Sequence, residues 1–393
     1  MRLSAFCLAA SLWPISVSAI DASLDPWDVH SSCDPYKTEI KNALTEALGL
    51  ADAARTSLET VLQRAPDKNT DPDAYLNWKR ISVHVQMAFG YAISSNPTPN
   101  DRRYTEALRD IYAKAVRVLP SNTNDPEHGN NPTLAARPGA KPVIVCGDGM
   151  FQWFDADQEP EPGVGKIQDQ PYFQRKAQQG VNLAGALYFQ GRFSWNTRRV
   201  NSMGVCIGNR QAVISAHDDL IIICDAMLDP AGKARTSPSP SAFKASVSAG
   251  TDLREGLVSF PTQLWHELGH WFGGVTPQLE HIIQDHPAVD RNGRVLYKDA
   301  NNRMTPFDRP LSKASASARG LRQQGAYGIS AMMDLAMSWN KKIKDNCGPD
   351  KATTNADSLM IFSLMMYNDQ WDWTNRGQAR DFTRLRQKLG MNP

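Results

Sequence analysis

The chain has 393 residues, of which 41% are hydrophobic, and a formal charge of +2. That length allows one large domain or two small ones, with enough apolar side chains to bury a substantial core. The near balance of charge excludes the electrostatic footprint of a nucleic-acid binder and any polybasic membrane patch.

The opening segment, MRLSAFCLAASLWPISVSA over 1–19, reads as a secretory signal peptide. Arg2 supplies the positive end, Leu3 to Ile15 the apolar stretch, and Val17 and Ala19 the small residues of a cleavage site. The apolar stretch is too short for a membrane span and Pro14 interrupts it, so cleavage after Ala19 and export are expected. No later segment reaches transmembrane length. Export favours disulfides. Once Cys7 has left with the signal, Cys33, Cys146, Cys206, Cys224 and Cys347 remain, an odd set that leaves one thiol over. N-glycosylation is not expected, because proline blocks the near-sequons at Asn96 and Asn131.

Apolar residues at helical spacing predict a long amphipathic helix over 36–65 and two more over 73–90 and 103–119. A loop rich in Pro, Asn and Gly follows over 120–140. The β-rich runs over 141–146, 185–190 and 212–224 predict strands of one sheet. A loop over 236–241 precedes a helix from Ser259 to Phe272, which Gly273 and Gly274 are placed to stop. Residues 275–325 show no clean period, whereas 326–342 and 355–369 predict two closing helices. The class is α+β, with helices at both ends around a small sheet. The basic run Arg376, Arg380, Arg384, Arg386 and Lys388 reads as a solvated helix face. Met332, Met333, Met337, Met360, Met365 and Met366 read as core, Trp371 and Trp373 as packing residues. Asn355 and Asp357 read as caps of the last helix, and His217 as a loop histidine.

The stretch LWHELGHWFGG over 264–274 carries His266, Glu267 and His270 in the pattern H-E-x-x-H. Positions four apart share a helix face, so the two imidazoles can occupy adjacent corners of a zinc tetrahedron. Glu267, one residue on, can reach a metal-bound water and take its proton, leaving a nucleophile for a carbonyl carbon. A third protein ligand is needed. No glutamate follows Glu280 and no histidine follows His286, so a distant Glu ligand is excluded. Thr276 stands where a third histidine of the H-E-x-x-H-x-x-G-x-x-H pattern belongs. Glu280, His281, Asp285 and His286 are near candidates; otherwise the ligand is an aspartate further on.

An H-E-x-x-H helix with an Asp ligand resembles the deuterolysin-like metallopeptidases, the aspzincins. Further matches run in order from about 33 to 372: Cys33 ahead of the Ala-rich KNALTEALGLADAA, the cysteines of VIVCGD and LIIICD, AYG at 326–328, and NADSL at 355–359. The resemblance implies a zincin-like fold, with a helical part over 20–135, a core over 136–375 and a basic tail over 376–393. It implies a secreted zinc endopeptidase with His266 and His270 as ligands, Glu267 as general base and Tyr327 donating to the oxyanion. It also implies disulfides Cys33–Cys146 and Cys206–Cys224, with Cys347 left over. The implied partner is a protein or peptide substrate, with neither nucleic acid nor membrane, and the implied state is a monomer. One departure bears on the site: in the family pattern G-T-x-x-D-x-x-Y-G, Gln324 takes the aspartate position. Asp308 is the preferred replacement and Asp299 the second. The alternatives are a zincin-fold protein that binds zinc or an extracellular partner without cutting, and a zinc amidase.

Overall fold

The computed structural model of the protein describes residues 21–120, 141–200, 204–206, 210–215, 220–273, 283–338 and 346–390. The expected signal peptide, the polar loop over 121–140, His217, Glu280 and His281 lie outside the described residues.

Lys37–Leu62 is helical because Ile40, Leu44, Ala47, Ala51, Ala54, Leu58 and Val61 recur every three or four residues, and all of them are buried. Asp71 caps Pro72–Phe89 by accepting the Ala74 amide. Thr98 and Asp101 form a reciprocal capping box on Pro99–Val118. That box, rather than the apolar face, sets the start of the third helix, which therefore begins ahead of its predicted bound. Proline opens both capped helices, where it has no intrahelical bond to lose.

The central sheet has the order Asp28–Val29, Val143–Cys146, Leu220–Ile223, Ala212–Ser215. The first three strands are parallel, and the last is antiparallel and lies at the edge. Gly185–Phe189, expected in the same sheet, instead pairs with Gln152–Asp155 and Arg192–Asn196 in a separate antiparallel sheet. The reason is local. Gln190 and Gly191 both take positive φ, which makes a tight hairpin that supplies Gly185–Phe189 with a partner from the next few residues.

The aperiodic region has structure of its own. Val295–Lys298, Met304–Phe307 and Arg322–Gln323 form a three-stranded antiparallel sheet, and Lys313–Ala318 is a short helix. The basic run is not one helix face: Gln378–Arg380 pairs with Asp372–Asn375, and helix resumes only at Thr383–Lys388. The architecture is α+β, and no helix among the described residues is long and apolar enough to cross a membrane.

Disulfides Cys33–Cys146 and Cys206–Cys224 form as the resemblance implied, and Cys347 is free and buried. The first ties the lead into the long helix to the central sheet. Next to the second, the buried Asp148 carboxylate accepts the amides of Val205 and Cys206 at 2.9 and 2.7 Å.

Helix Phe260–Gly273 sits in the middle of these elements. It packs against Lys37–Leu62, Pro99–Val118, the closing helix Ala356–Tyr367 and the edge strand Ala212–Ser215. Leu264, Trp265, Leu268, Trp271 and Phe272 are buried there, each contributing roughly 1.5–3 kcal/mol. Trp265 Nε1 donates to Ser363 Oγ at 2.9 Å, and the Tyr112 hydroxyl donates to the Leu359 carbonyl at 2.8 Å. The helix is thereby fixed in rotation, which fixes where its polar residues point.

His84 is a buried polar link between the second helix and the C-terminal hairpin. Its Nδ1–H donates to the Arg80 carbonyl at 2.7 Å, and its Nε2 accepts the Trp373 amide at 3.0 Å. The second bond needs the neutral ring, because a protonated Nε2 cannot accept. Burial, with the Arg80 charge adding, pushes its pKa down to about 4. The folded state thus binds fewer protons than the unfolded chain, whose histidine titrates near ~6.5. The stability His84 contributes is complete above that value and is withdrawn as pH falls towards 4. Urea unfolding at stepped pH should show wild type losing stability across this window, and His84→Gln losing less; parallel slopes for the two proteins would refute the assignment.

Candidate metal centre

His266 and His270 lie one turn apart with their rings near perpendicular, centroids 5.2 Å apart. Each ring is held through Nδ1. His266 Nδ1 meets Asp357 Oδ1 at 3.1 Å, and His270 Nδ1 donates to the Ile283 carbonyl at 3.1 Å. Both Nε2 atoms are left free to converge, and they converge on one carboxylate oxygen. Asp285 Oδ1 stands 3.2 Å from His266 Nε2 and 3.4 Å from His270 Nε2.

The chain delivers Asp285 by pinning both its neighbours. The Gln284 amide donates to the Thr354 carbonyl at 2.9 Å, and the Gln284 carbonyl accepts the Ala356 amide at 3.2 Å. The His286 amide donates to Asn355 Oδ1 at 3.1 Å, and its ring bonds Thr354 Oγ1 at 2.8 Å. In an extended segment, alternate side chains face opposite ways, so a chain fixed at 284 and 286 turns Asp285 away from them and onto the histidines. Ile283 needs room to lie against the histidine helix. Gly273 provides it: a Cβ there would lie 1.9 Å from Ile283 Cγ1.

Asp357 was expected to cap the closing helix; instead its buried carboxylate holds His266 with one oxygen and accepts the Gly328 amide with the other. Asn355 occupies the cap position, but its side chain bonds the His286 amide and Ser358 Oγ instead of capping. Tyr327 is thus set beside the histidines. Its ring centroid is 6.0 Å from that of His266, and its hydroxyl lies close enough to Asp285 for that carboxylate to help raise its pKa. A Cβ on Gly325 would lie 2.3 Å from the Tyr327 ring, so this glycine lets the ring fold back over the chain.

The charges agree on what belongs between these groups. Burial alone would lower the His266 pKa, but hydrogen bonds to Asp285 and Asp357 overturn that and raise it well above the usual imidazole value. Burial would raise the Asp285 pKa, but the two histidines hold it far below the carboxylate range. The arrangement therefore stabilises positive charge at the point where the two Nε2 atoms and Oδ1 meet. Burial raises the Glu267 pKa; the two histidines oppose that, Asp285 adds to it and Arg210 opposes it. Burial raises the Tyr327 hydroxyl, which stays protonated and able to donate.

His266, His270 and Asp285 form the group of metal-ligand type among the described residues, their ligand atoms all within 4.8 Å of one another. Two ligands bound to zinc at about 2.0–2.1 Å in a tetrahedron stand about 3.3 Å apart. The separations of 3.2 and 3.4 Å are of that size. Two imidazole nitrogens and a carboxylate, with both Nδ1 atoms anchored, suit this ion.

Asp285 was among the near candidates; the aspartates expected further on, and Gln324, are otherwise placed. Asp308 is corrected: it is exposed, in the turn after Met304–Phe307, where its carbonyl accepts Asn346 Nδ2 at 2.8 Å, and it is not part of the group. The Asp299 carboxylate accepts the amides of Asn301 and Arg303, each at 2.8 Å. The Gln324 side chain donates to the Arg322 carbonyl at 3.1 Å. The physical cause is a detour. The chain leaves the site at Pro287 and returns at Gly325, where these two residues pair. The Ala326 amide donates to the His286 carbonyl at 2.7 Å, so Asp285 and Tyr327 are brought together across residues 287–325.

Compared with protein-family models, with curated proteins and with solved structures, the chain matches none.

Zinc uptake by the purified chain should require the Asp285 carboxylate and survive Asp308→Ala. Zinc content after dialysis checks this; stoichiometric zinc in Asp285→Ala would contradict the ligand set. Asp357→Asn should weaken zinc about 10–100-fold, measured by competition with a chelating dye.

Proposed function

We propose that the chain is a secreted zinc-dependent endopeptidase, similar to the deuterolysin-like metallopeptidases. The carrying observation is the convergence of His266 and His270 Nε2 on Asp285 Oδ1, with Glu267 on the same helix. The resemblance gains a second support from the detour. With 287–325 set aside, Asp285, His286, Ala326, Tyr327 and Gly328 read D-x-x-Y-G, the order of the family pattern. The two disulfides suit an oxidising, extracellular setting.

Zinc, when bound, supplies a Lewis acid that polarises a carbonyl and acidifies water at neutral pH. Glu267 takes the proton of the attacking water; burial raises its proton affinity, which improves it as a base. Glu267 then carries that proton to the leaving amine. Tyr327, still a phenol, donates to the carbonyl oxygen as charge develops there. Asp357 fixes the His266 tautomer and positions Gly328, hence Tyr327, relative to it. The substrate backbone can lie along the edge strand Ala212–Ser215, which packs against the histidine helix. The non-cutting alternative drew on Gln324 standing in for a carboxylate, and Asp285 answers that need.

Glu267→Gln should abolish casein cleavage while zinc content and melting temperature stay at wild-type values. Full activity in that variant would sink the mechanism. Tyr327→Phe should lower kcat by roughly 10²–10³ with little change in KM, read on a fluorogenic peptide.

A further inference from the structure

The detour over 287–325 carries a charge unlike the rest of the chain. It holds eight Lys and Arg against three Asp and no Glu, in a protein whose total is +2, so the remainder is net acidic. Two of the three acids are engaged: Asp290 holds Arg294 at 2.6 Å, and Asp299 accepts backbone amides. The three-stranded sheet of the detour has one face inward, where Val295 and Tyr297 are buried with Leu335 and Ala336. By strand alternation the other face carries Leu296, Lys298, Met304, Pro306 and Arg322. Arg322 and Met304 flank Lys298 in register, and Met304 is 50% exposed. Among the described residues neither Lys298 nor Arg322 has an acidic partner.

This face is rigidly tied to the site. Ala288 donates to Gln324 at 2.8 Å, Gln324 to Leu296 at 3.0 Å and Leu296 to Ala288 at 2.9 Å, which carries the sheet to the Pro287–Gly325 pair beside Asp285 and Tyr327. Tyr327 is five positions after Arg322, so the two lie at most about 18 Å apart. Three strands are only about 10 Å across. So narrow a strip, mixing two cations with exposed Met304 and half-buried Leu296 and Pro306, fits one extended polypeptide rather than a bilayer or a row of duplex phosphates.

Building on the endopeptidase reading, we propose that this face selects substrates bearing an acidic segment within about five residues of the scissile bond, held by Lys298 and Arg322. Charge complementarity guides encounter and alignment, so its effect falls on substrate binding and is sensitive to salt.

The test uses full-length Glu267→Gln protein, which holds peptide without cutting it. A fluorescein-labelled peptide with a Glu block and its Lys-block counterpart are titrated by fluorescence anisotropy. The Glu peptide should bind about tenfold more tightly, and the preference should shrink as salt rises. Adding Lys298→Glu and Arg322→Glu should reverse the preference. The Lys298→Gln, Arg322→Gln pair should abolish it and serves if the reversed protein fails to fold. Equal affinity for both peptides, or a preference that survives the substitutions, overturns the proposal. So does charge-dependent binding confined to phosphatidylserine vesicles or single-stranded RNA. Cleavage by wild type is read separately, so failure of the peptidase reading leaves the binding result interpretable.

Discussion

The site depends on one buried carboxylate. Asp357 sits in the first turn of the closing helix and joins three pieces of chain that are far apart in sequence. One oxygen fixes the ring of His266, and the other accepts the amide of Gly328. A buried carboxylate without partners is costly, so both bonds must be made, and making them sets the spacing between the histidine helix and Tyr327. The same helix start receives the backbone of Gln284 and His286, which delivers Asp285. The N-terminus of the closing helix is therefore the point at which Asp285, the histidine helix and Tyr327 are assembled.

Around that point the hydrophobic packing removes freedom rather than supplying chemistry. Trp265 and Trp271 lock the rotation of the histidine helix, Gly273 admits Ile283, and Ile283 in turn holds His270. Both imidazoles are thus oriented by the protein itself. The two Nε2 atoms and Asp285 Oδ1 already stand near tetrahedral ligand separation, so the proposed zinc would require little reorganisation. The chain between Asp285 and Tyr327 bears no such constraint, since Pro287 and Gly325 close it like a clasp. It can be long, folded and basic without moving the two residues it separates.

Much of this was legible without the structure, for identifiable reasons. Helices Lys37–Leu62 and Phe260–Gly273 are written in local periodicity, and the two histidines lie on one face because four residues make about one turn. Asp308 was expected beside the histidines because the pattern D-x-x-Y-G of the resembled family was sought as contiguous residues. Gln324 occupies its place in the linear sequence, while Asp285 occupies it in space. Strand membership failed in a similar way: the run around Gly185 reads as a strand, but only pairing decides which sheet takes it.

The sequence by itself determined the residues that can do chemistry: two histidines and a glutamate at helical spacing, a tyrosine, and cysteines able to pair. These follow from short-range geometry, where spacing along the chain is distance in space. Only the tertiary structure decided that Asp285 rather than Asp308 faces the histidines, and that Asp357 is a partner of His266 rather than a helix cap. Those outcomes rest on backbone and side-chain hydrogen bonds between segments dozens of residues apart. Their register is set by mutual packing, which no local pattern of residue types records.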